Sequence, residues 1–153
     1  ITRDQAKTAR TACLQALKER LLERADIIVM SSPMYNYGMP AQLKAWFDQV
    51  VRVNKTFTFD LSRGDFPLEP IMSGKTLVLT TSSGEFGFSA GGVRESLNHL
   101  APHIKTASHY LGVDNFHEIN AEYQEFGDDR HAKSVSKALT MAKNLASELA
   151  HSS

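Results

Sequence analysis

Two short segments concentrate residues suited to holding a flat, polar-edged ligand. Met34-Tyr35-Asn36-Tyr37-Gly38 sets a methionine, two tyrosines, an asparagine and a glycine side by side. Together they offer apolar and aromatic walls, an amide that both donates and accepts, and free backbone N–H groups, which suits a heterocycle with several polar ring atoms. The alternative for the same residues is an ordinary loop whose aromatics cover the end of a sheet. The second segment, Ser82-Ser83-Gly84-Glu85-Phe86-Gly87-Phe88-Ser89-Ala90-Gly91-Gly92, carries four glycines. Glycine at that density after an apolar run marks a backbone that turns sharply or approaches a ligand.

Other constellations compete with these. Gly87-Phe88-Ser89-Ala90-Gly91 matches the nucleophile elbow of α/β serine hydrolases. An elbow follows its strand directly, however, whereas Ser82 to Phe86 intervene here. Asp114 and His117 also lie too close together, and too early, to act as the acid and base of a triad. His99 and His103 are four apart, the spacing of a zinc pair on a helix, but Pro102 between them argues against a regular turn and no third ligand stands at motif spacing. Cys13 lies on an apolar helical stripe and reads as a small core residue.

The elements that must position the two loops alternate in type. Ala6, Ala9, Cys13, Leu17 and Leu21 recur at helical spacing over Asp4 to Glu23, and Ile27 to Met30 is an unbroken apolar run expected to be a strand buried on both faces. After the first loop, Met39-Pro40 opens a helix with a stripe of Leu43, Trp46, Phe47, Val50 and Val51. Phe57 and Phe59 alternate with Thr56 and Thr58, as an extended piece or a pinned loop. Asp60 to Met72 shows no period and reads as a surface excursion. Thr76 to Thr81 is a second buried strand. Val93 to Leu111 reads as a helix interrupted at Pro102 and stopped by Gly112, Asn115 to Ala121 as a third strand, and Asp128 or Asp129 as the cap of a last helix with apolar Ala132, Val135, Leu139, Ala142, Leu145 and Leu149. Such alternation implies a parallel sheet with helices on both faces, and ligands bind beyond the carboxyl ends of its strands, where both loops lie.

Composition narrows the partners. With 153 residues, 17 Lys+Arg against 17 Asp+Glu and a net charge of zero, the chain has no positive field for nucleic acid and no strong negative one of the electron-carrier kind. A single cysteine allows no intramolecular disulfide and favours a reducing cytoplasm, and no apolar run approaches the ~20 residues of a membrane-spanning helix. The chain opens on Ile1-Thr2-Arg3-Asp4, which reads as the back part of something longer or as a trimmed product.

A flavin ring fits the ligand described above, and the residues that suggest it also carry a resemblance. Ala25-Asp26-Ile27-Ile28-Val29-Met30-Ser31-Ser32-Pro33-Met34-Tyr35-Asn36-Tyr37-Gly38-Met39-Pro40, followed by Gln42-Leu43-Lys44-Ala45-Trp46-Phe47-Asp48, resembles the FMN-dependent NADH-azoreductase family, relatives of the NAD(P)H:quinone reductases. The likeness continues through Phe57 to Phe59, Gly74-Lys75, Thr81 to Glu85, Ala101-Pro102 and Leu111-Gly112-Val113. It implies one flavodoxin-like domain over residues 1–153, a three-layer α/β sandwich with a parallel sheet, whose N-terminal strand and phosphate loop are missing here and which would then hold flavin poorly.

The resemblance further implies that Met34, Tyr35, Asn36 and Tyr37 wrap the isoalloxazine ring, with Asn36 on its polar edge, and that Ser82, Ser83, Gly84 and Glu85 form the second flavin loop. In that loop the family pattern is Ser-Arg-Gly-Gly, so Ser83 stands for an arginine and Glu85 for a glycine. The implied chemistry is ping-pong: NAD(P)H reduces FMN, and an azo compound or quinone then takes two electrons. No side chain acts as a catalytic acid or base, because the cofactor carries the chemistry. A homodimer with shared sites is implied, and neither nucleic acid nor membrane insertion is expected. The other readings are the serine hydrolase of Gly87 to Gly91 and a non-enzymatic flavodoxin-like carrier or binding domain.

Overall fold

The computed structural model describes residues 2, 4, 5, 7, 8 and 20–151. Most of the expected first helix, Cys13 included, lies outside them, and residues 20–24 are helical as expected. In chain order follow β1 (Ile27–Pro33), α1 (Ala41–Val50), β2 (Phe57–Phe59), β3 (Leu68–Pro70), β4 (Lys75–Ser82), α2 (Ala101–Ser108), β5 (Val113–Ala121) and α3 (Asp129–His151). Strands β1, β4 and β5 form one sheet with β4 in the middle, and β2 pairs with β3. The main sheet is parallel, because Thr76 N donates to Asp26 O at one end of the β1–β4 pair and Met34 N to Ser82 O at the other. Lys75 N to Gly112 O and Ser83 N to Ala121 O set the same direction for β4 and β5.

Burial follows position in that sheet. The central strand β4 is buried continuously from Lys75 to Leu79, as a strand covered on both faces must be. The outer strand β1 departs from the expectation of two buried faces: Met30 and Ser32 are buried while Val29 is 70% exposed. An outer strand covered on one face alternates, whatever its apolar content.

Two compact units are built on these elements, residues 1–28, 41–77 and 106–115 in one and residues 29–40, 78–105 and 116–153 in the other. Within the first, α1 buries Phe47 and Val50 from its expected stripe, while Leu43, Trp46 and Val51 are half-buried. The aperiodic stretch 60–72 is more ordered than its sequence suggests. Phe57 opposes Pro70 and Phe59 opposes Leu68 in an antiparallel hairpin, with a 3-10 turn at Leu61–Arg63 between them. The alternation at Phe57 and Phe59 is thus the extended piece of the two alternatives, whereas β3, with three residues inside an aperiodic stretch, is too short to show a period of its own. Lys75, 6% exposed, donates its ammonium hydrogens to Glu23 O and Ala25 O at 3.2 and 2.7 Å.

Within the second unit the expected helix over Val93 to Leu111 is broken earlier than Pro102. A 3-10 turn at Glu95–Leu97 precedes α2, and Asn98 Oδ1 accepts from Leu100 N and Ala101 N at 3.1 and 3.2 Å, capping the helix start. Pro102 falls in the first turn of α2, where its missing N–H has no consequence. Asp128 Oδ1 accepts from Arg130 N at the start of α3, so the aspartate cap holds. The apolar stripe of α3 is only half-covered, and Leu139 and Ala132 face solvent.

Candidate functional site

The first loop is a hairpin tip. Tyr35 N donates to Gly38 O at 3.1 Å and Gly38 N to Tyr35 O at 3.0 Å, which leaves Asn36 and Tyr37 as central residues with φ of 48° and 66°. Positive φ at both positions is the pattern of a type I′ turn, where asparagine is favoured and tyrosine is not. Three anchors hold this costly backbone: the mutual pair just named, Met34 N to Ser82 O at 2.8 Å, and His99 N to Tyr37 O at 2.9 Å. Strain retained at non-glycine positions by surrounding contacts is characteristic of ligand clamps.

The second loop leaves β4 and pairs with the segment after β5. Gln124 N donates to Ser83 O, Tyr123 N to Glu85 O and Glu125 N to Gly84 O, each at 3.1 Å, and the buried Ser83 hydroxyl donates to Glu85 O at 3.0 Å. One carboxylate oxygen of Glu122 accepts from both Gly87 N and Phe88 N, at 2.9 and 3.1 Å, fixing the loop beyond. The Glu125 side chain lies close over Gly84, so that a Cβ there would fall 2.5 Å from its carboxylate and displace it. Phe86 stacks on Tyr123 at 4.5 Å and 10°, and the Arg94 guanidinium lies 4.5 Å over the Phe86 ring.

The two loops and this third segment enclose a cleft of about 350 Å³ lined by Met34, Asn36, Tyr37, Ser83, Gly84, Glu85, Phe88 and Glu125. Its size is at the lower end of the ~300–1,000 Å³ of small-molecule sites. Six of the eight expected residues therefore meet around one space. Tyr35 is exposed and outside the lining, and Ser82 instead lines a hydroxyl-rich hollow with Ser31, Ser32, Thr80 and Thr81. In that hollow the Ser31 and Thr80 hydroxyls are 2.7 Å apart.

Glu85, the carboxylate at a position where the resemblance expects glycine, is not isolated. Its Oε1 lies 3.1 Å from Arg94 Nη2, and its Oε2 accepts from the Tyr37 hydroxyl at 3.4 Å. Sequence reasoning missed Arg94, Glu122, Tyr123 and Glu125. The last three follow β5, and the rule that ligands gather beyond the carboxyl ends of strands applies to that strand as well as to the two whose loops were singled out.

The arrangement does not suit the hydrolase reading. Residues 83–94 form no strand-to-helix elbow, and exposed Ser89 accepts from Asn120 Nδ2 at 3.0 Å rather than facing a histidine. What the cleft presents is an apolar and aromatic lining from Met34, Tyr37 and Phe88, together with the Asn36 amide and the backbone at Gly84. Those are the features that hold a planar ring by its faces and read its polar edge.

Comparison with known proteins gives the same fold. The profile of a family described as a flavodoxin-like fold matches residues 2–145. The chain is 65% identical over 151 residues to an FMN-dependent NADH:quinone oxidoreductase 2 of Idiomarina loihiensis, covering 97% of this chain and 63% of the relative. It is 61% identical to the protein of the same name in Colwellia psychrerythraea, covering 97% and 69%. The chain thus spans about two thirds of the length of these relatives. Among solved structures, an FMN-dependent NADH-azoreductase from Bacillus anthracis in complex with FMN superposes with a TM-score of 0.77 at 16% identity, over 97% of this chain and 66% of that one. At that identity the superposition establishes the fold.

Proposed function

This chain belongs to the flavodoxin-like family, and from that premise we propose that it is an FMN-dependent oxidoreductase passing two electrons from NAD(P)H to quinones or azo compounds. The observation that carries the reading is the cleft itself, whose lining of aromatic walls, Asn36 amide and Gly84 backbone suits a planar ring. The names of relatives above 60% identity support it from outside the structure. Bound FMN would supply the hydride and electron chemistry. The family match over residues 2–145 supports a single flavodoxin-like domain.

In this reading the protein's own residues bind and orient. Met34, Tyr37 and Phe88 give the ring its apolar contacts, Asn36 donates to or accepts from its polar edge, and Ser83, Gly84 and Glu85 bring the second loop against it. Tyr35 and Ser82 act from outside the cleft, Ser82 through the carbonyl that anchors Met34. Donor and acceptor use the same cleft in turn, as ping-pong exchange allows.

The protein is further read as a cytoplasmic homodimer. Phe59, Leu61, Phe66 and Leu68 around the β2–β3 hairpin are all large, apolar and exposed, Phe66 by 86%, a grouping that marks an association surface. A lone cysteine and a reduced nicotinamide donor suit a reducing compartment. No helix among the described residues is long and apolar enough to cross a membrane.

The test is an absorbance scan at 300–500 nm after incubation with excess FMN and gel filtration, followed by NADH and then a quinone under anaerobic conditions. Because weak holding is expected, FMN fluorescence quenching is titrated alongside; saturable quenching, with bound flavin that bleaches with NADH and recovers with the quinone, is expected. No saturable quenching excludes the flavin reading, and bound flavin that stays yellow with NADH excludes the reductase.

A further inference from the structure

Glu85 is a carboxylate in the wall of the cleft, and the charge that answers it comes from outside the lining. Arg94 places Nη2 3.1 Å from Glu85 Oε1, donates through Nη1 to Phe86 O at 3.2 Å, and lies 4.5 Å over the Phe86 ring. Three contacts of different kinds hold the guanidinium in one place, the preorganised use to which arginine is suited and lysine less so. The far oxygen of Glu85 accepts from the Tyr37 hydroxyl, so the pair is joined to the strained turn of the first loop. Glu125 adds a second carboxylate to the same lining.

We propose that the Glu85–Arg94 pair sets the reduction potential of a flavin held in this cleft, with Arg94 as a positioning residue that cancels the field of the Glu85 carboxylate. The inference rests on the flavin reading above. A flavin gains electron density on reduction, so a carboxylate in the wall disfavours the reduced form, and charge near the ring is a principal means by which a protein tunes this cofactor. A guanidinium in contact with that carboxylate removes most of the effect at ring distance, because the two charges then act as a short dipole. With Arg94 neutralised, Glu85 and Glu125 would face the ring without it.

The experiment compares FMN bound to the wild-type chain, Arg94→Gln, Arg94→Lys, Glu85→Gln and the Arg94→Gln/Glu85→Gln double variant, each titrated anaerobically against a redox dye. Affinities for oxidised and reduced FMN are measured alongside. Arg94→Gln is expected to raise the preference for oxidised over reduced flavin about tenfold, a downward shift of about 30 mV for a two-electron couple. Glu85→Gln should shift the potential upward, the double variant should stay near wild type, and Arg94→Lys, which keeps the charge without the guanidinium's contacts, should fall between wild type and Arg94→Gln. Far-UV circular dichroism checks each fold. If Arg94→Gln holds no flavin, the upward shift in Glu85→Gln decides alone. A pair that merely supports the loop weakens both oxidation states alike, and flavin held at one potential in all variants overturns the inference. No FMN held by the wild-type chain overturns the flavin reading and this inference with it.

Discussion

Asn36 and Tyr37 occupy left-handed backbone next to one another, each at a cost of roughly 1–2 kcal/mol for an L-residue with a Cβ, less for asparagine. That cost separates two roles that a single substitution would merge. Asn36→Gly keeps the turn and removes only the amide, so FMN affinity is expected to fall about tenfold, the ~1.4 kcal/mol of one well-made hydrogen bond. Asn36→Ala removes the same amide and adds backbone strain, so it should lose the same affinity and also lower the urea midpoint. Fluorescence-quenching titration with FMN measures the first effect and urea denaturation the second. Equal FMN affinity in wild type and both variants would remove Asn36 from the ring-binding set. The amide was legible in the sequence as a candidate contact. Its strained backbone was not, since φ at Asn36 depends on the partners Tyr35, Gly38 and His99 that close the turn.

Elements here depend on a few positions where chain segments meet. Gly112 ends the 3-10 turn His109–Leu111 at φ 83°, and a Cβ there would lie 2.6 Å from the Met72 carbonyl carbon. Gly112→Ala is expected to cost about 2–4 kcal/mol, combining left-handed strain with overpacking against backbone that cannot move aside. Urea unfolding checks it, and a loss under ~1 kcal/mol would show that Met72 yields. On β5, burial pushes the Glu118 carboxyl above its usual range, nearby Glu122 adds to the rise, and a hydrogen bond from Thr81 works the other way. A carboxyl whose folded pKa is raised contributes stability that is complete below its unfolded pKa and is lost as pH climbs through the folded value. Glu118→Gln, neutral throughout, should therefore match wild type in acid and exceed it once the pH passes the ordinary carboxylate range. Urea midpoints measured across that range test this, and curves that run parallel would refute it.

At the scale of the whole molecule, the exposed apolar hairpin and the neutral net charge point the same way. Zero net charge offers no self-repulsion, and Phe59, Leu61, Phe66 and Leu68 offer area to bury. Phe66→Asp places a charge at the most exposed of these without touching the cleft. Sedimentation equilibrium is expected to show the wild type at twice 17.0 kDa and the variant at 17.0 kDa, with the circular dichroism spectrum unchanged. Wild-type protein that stays monomeric over a wide concentration range would exclude the homodimer.

Period and residue type, read alone, determined the α/β alternation, the three strands of the parallel sheet and the two loops at its carboxyl edge. Those features are written in local patterns: apolar runs for buried strands, helical spacing for amphipathic helices, and glycines where a turn must be tight. The chemistry of Met34 to Gly38 suited a flavin ring, and the resemblance carried by Ala25 to Pro40 added the expectation of FMN and its electron donor. The short β3 escaped, since its three residues show no period, while the alternation at Phe57 and Phe59 left β2 open between an extended piece and a loop; β1 read as doubly buried because an apolar run does not report a strand's place in its sheet. Only the tertiary structure brought Glu122, Tyr123 and Glu125 beneath the second loop and set Arg94 against Glu85. The Glu122, Tyr123 and Glu125 contacts join residues 34 to 41 positions apart across the ends of the parallel strands β4 and β5, and no spacing rule along the chain encodes a distance that the sheet itself creates; the Glu85–Arg94 pair depends instead on how the irregular segment after β4 folds back on itself.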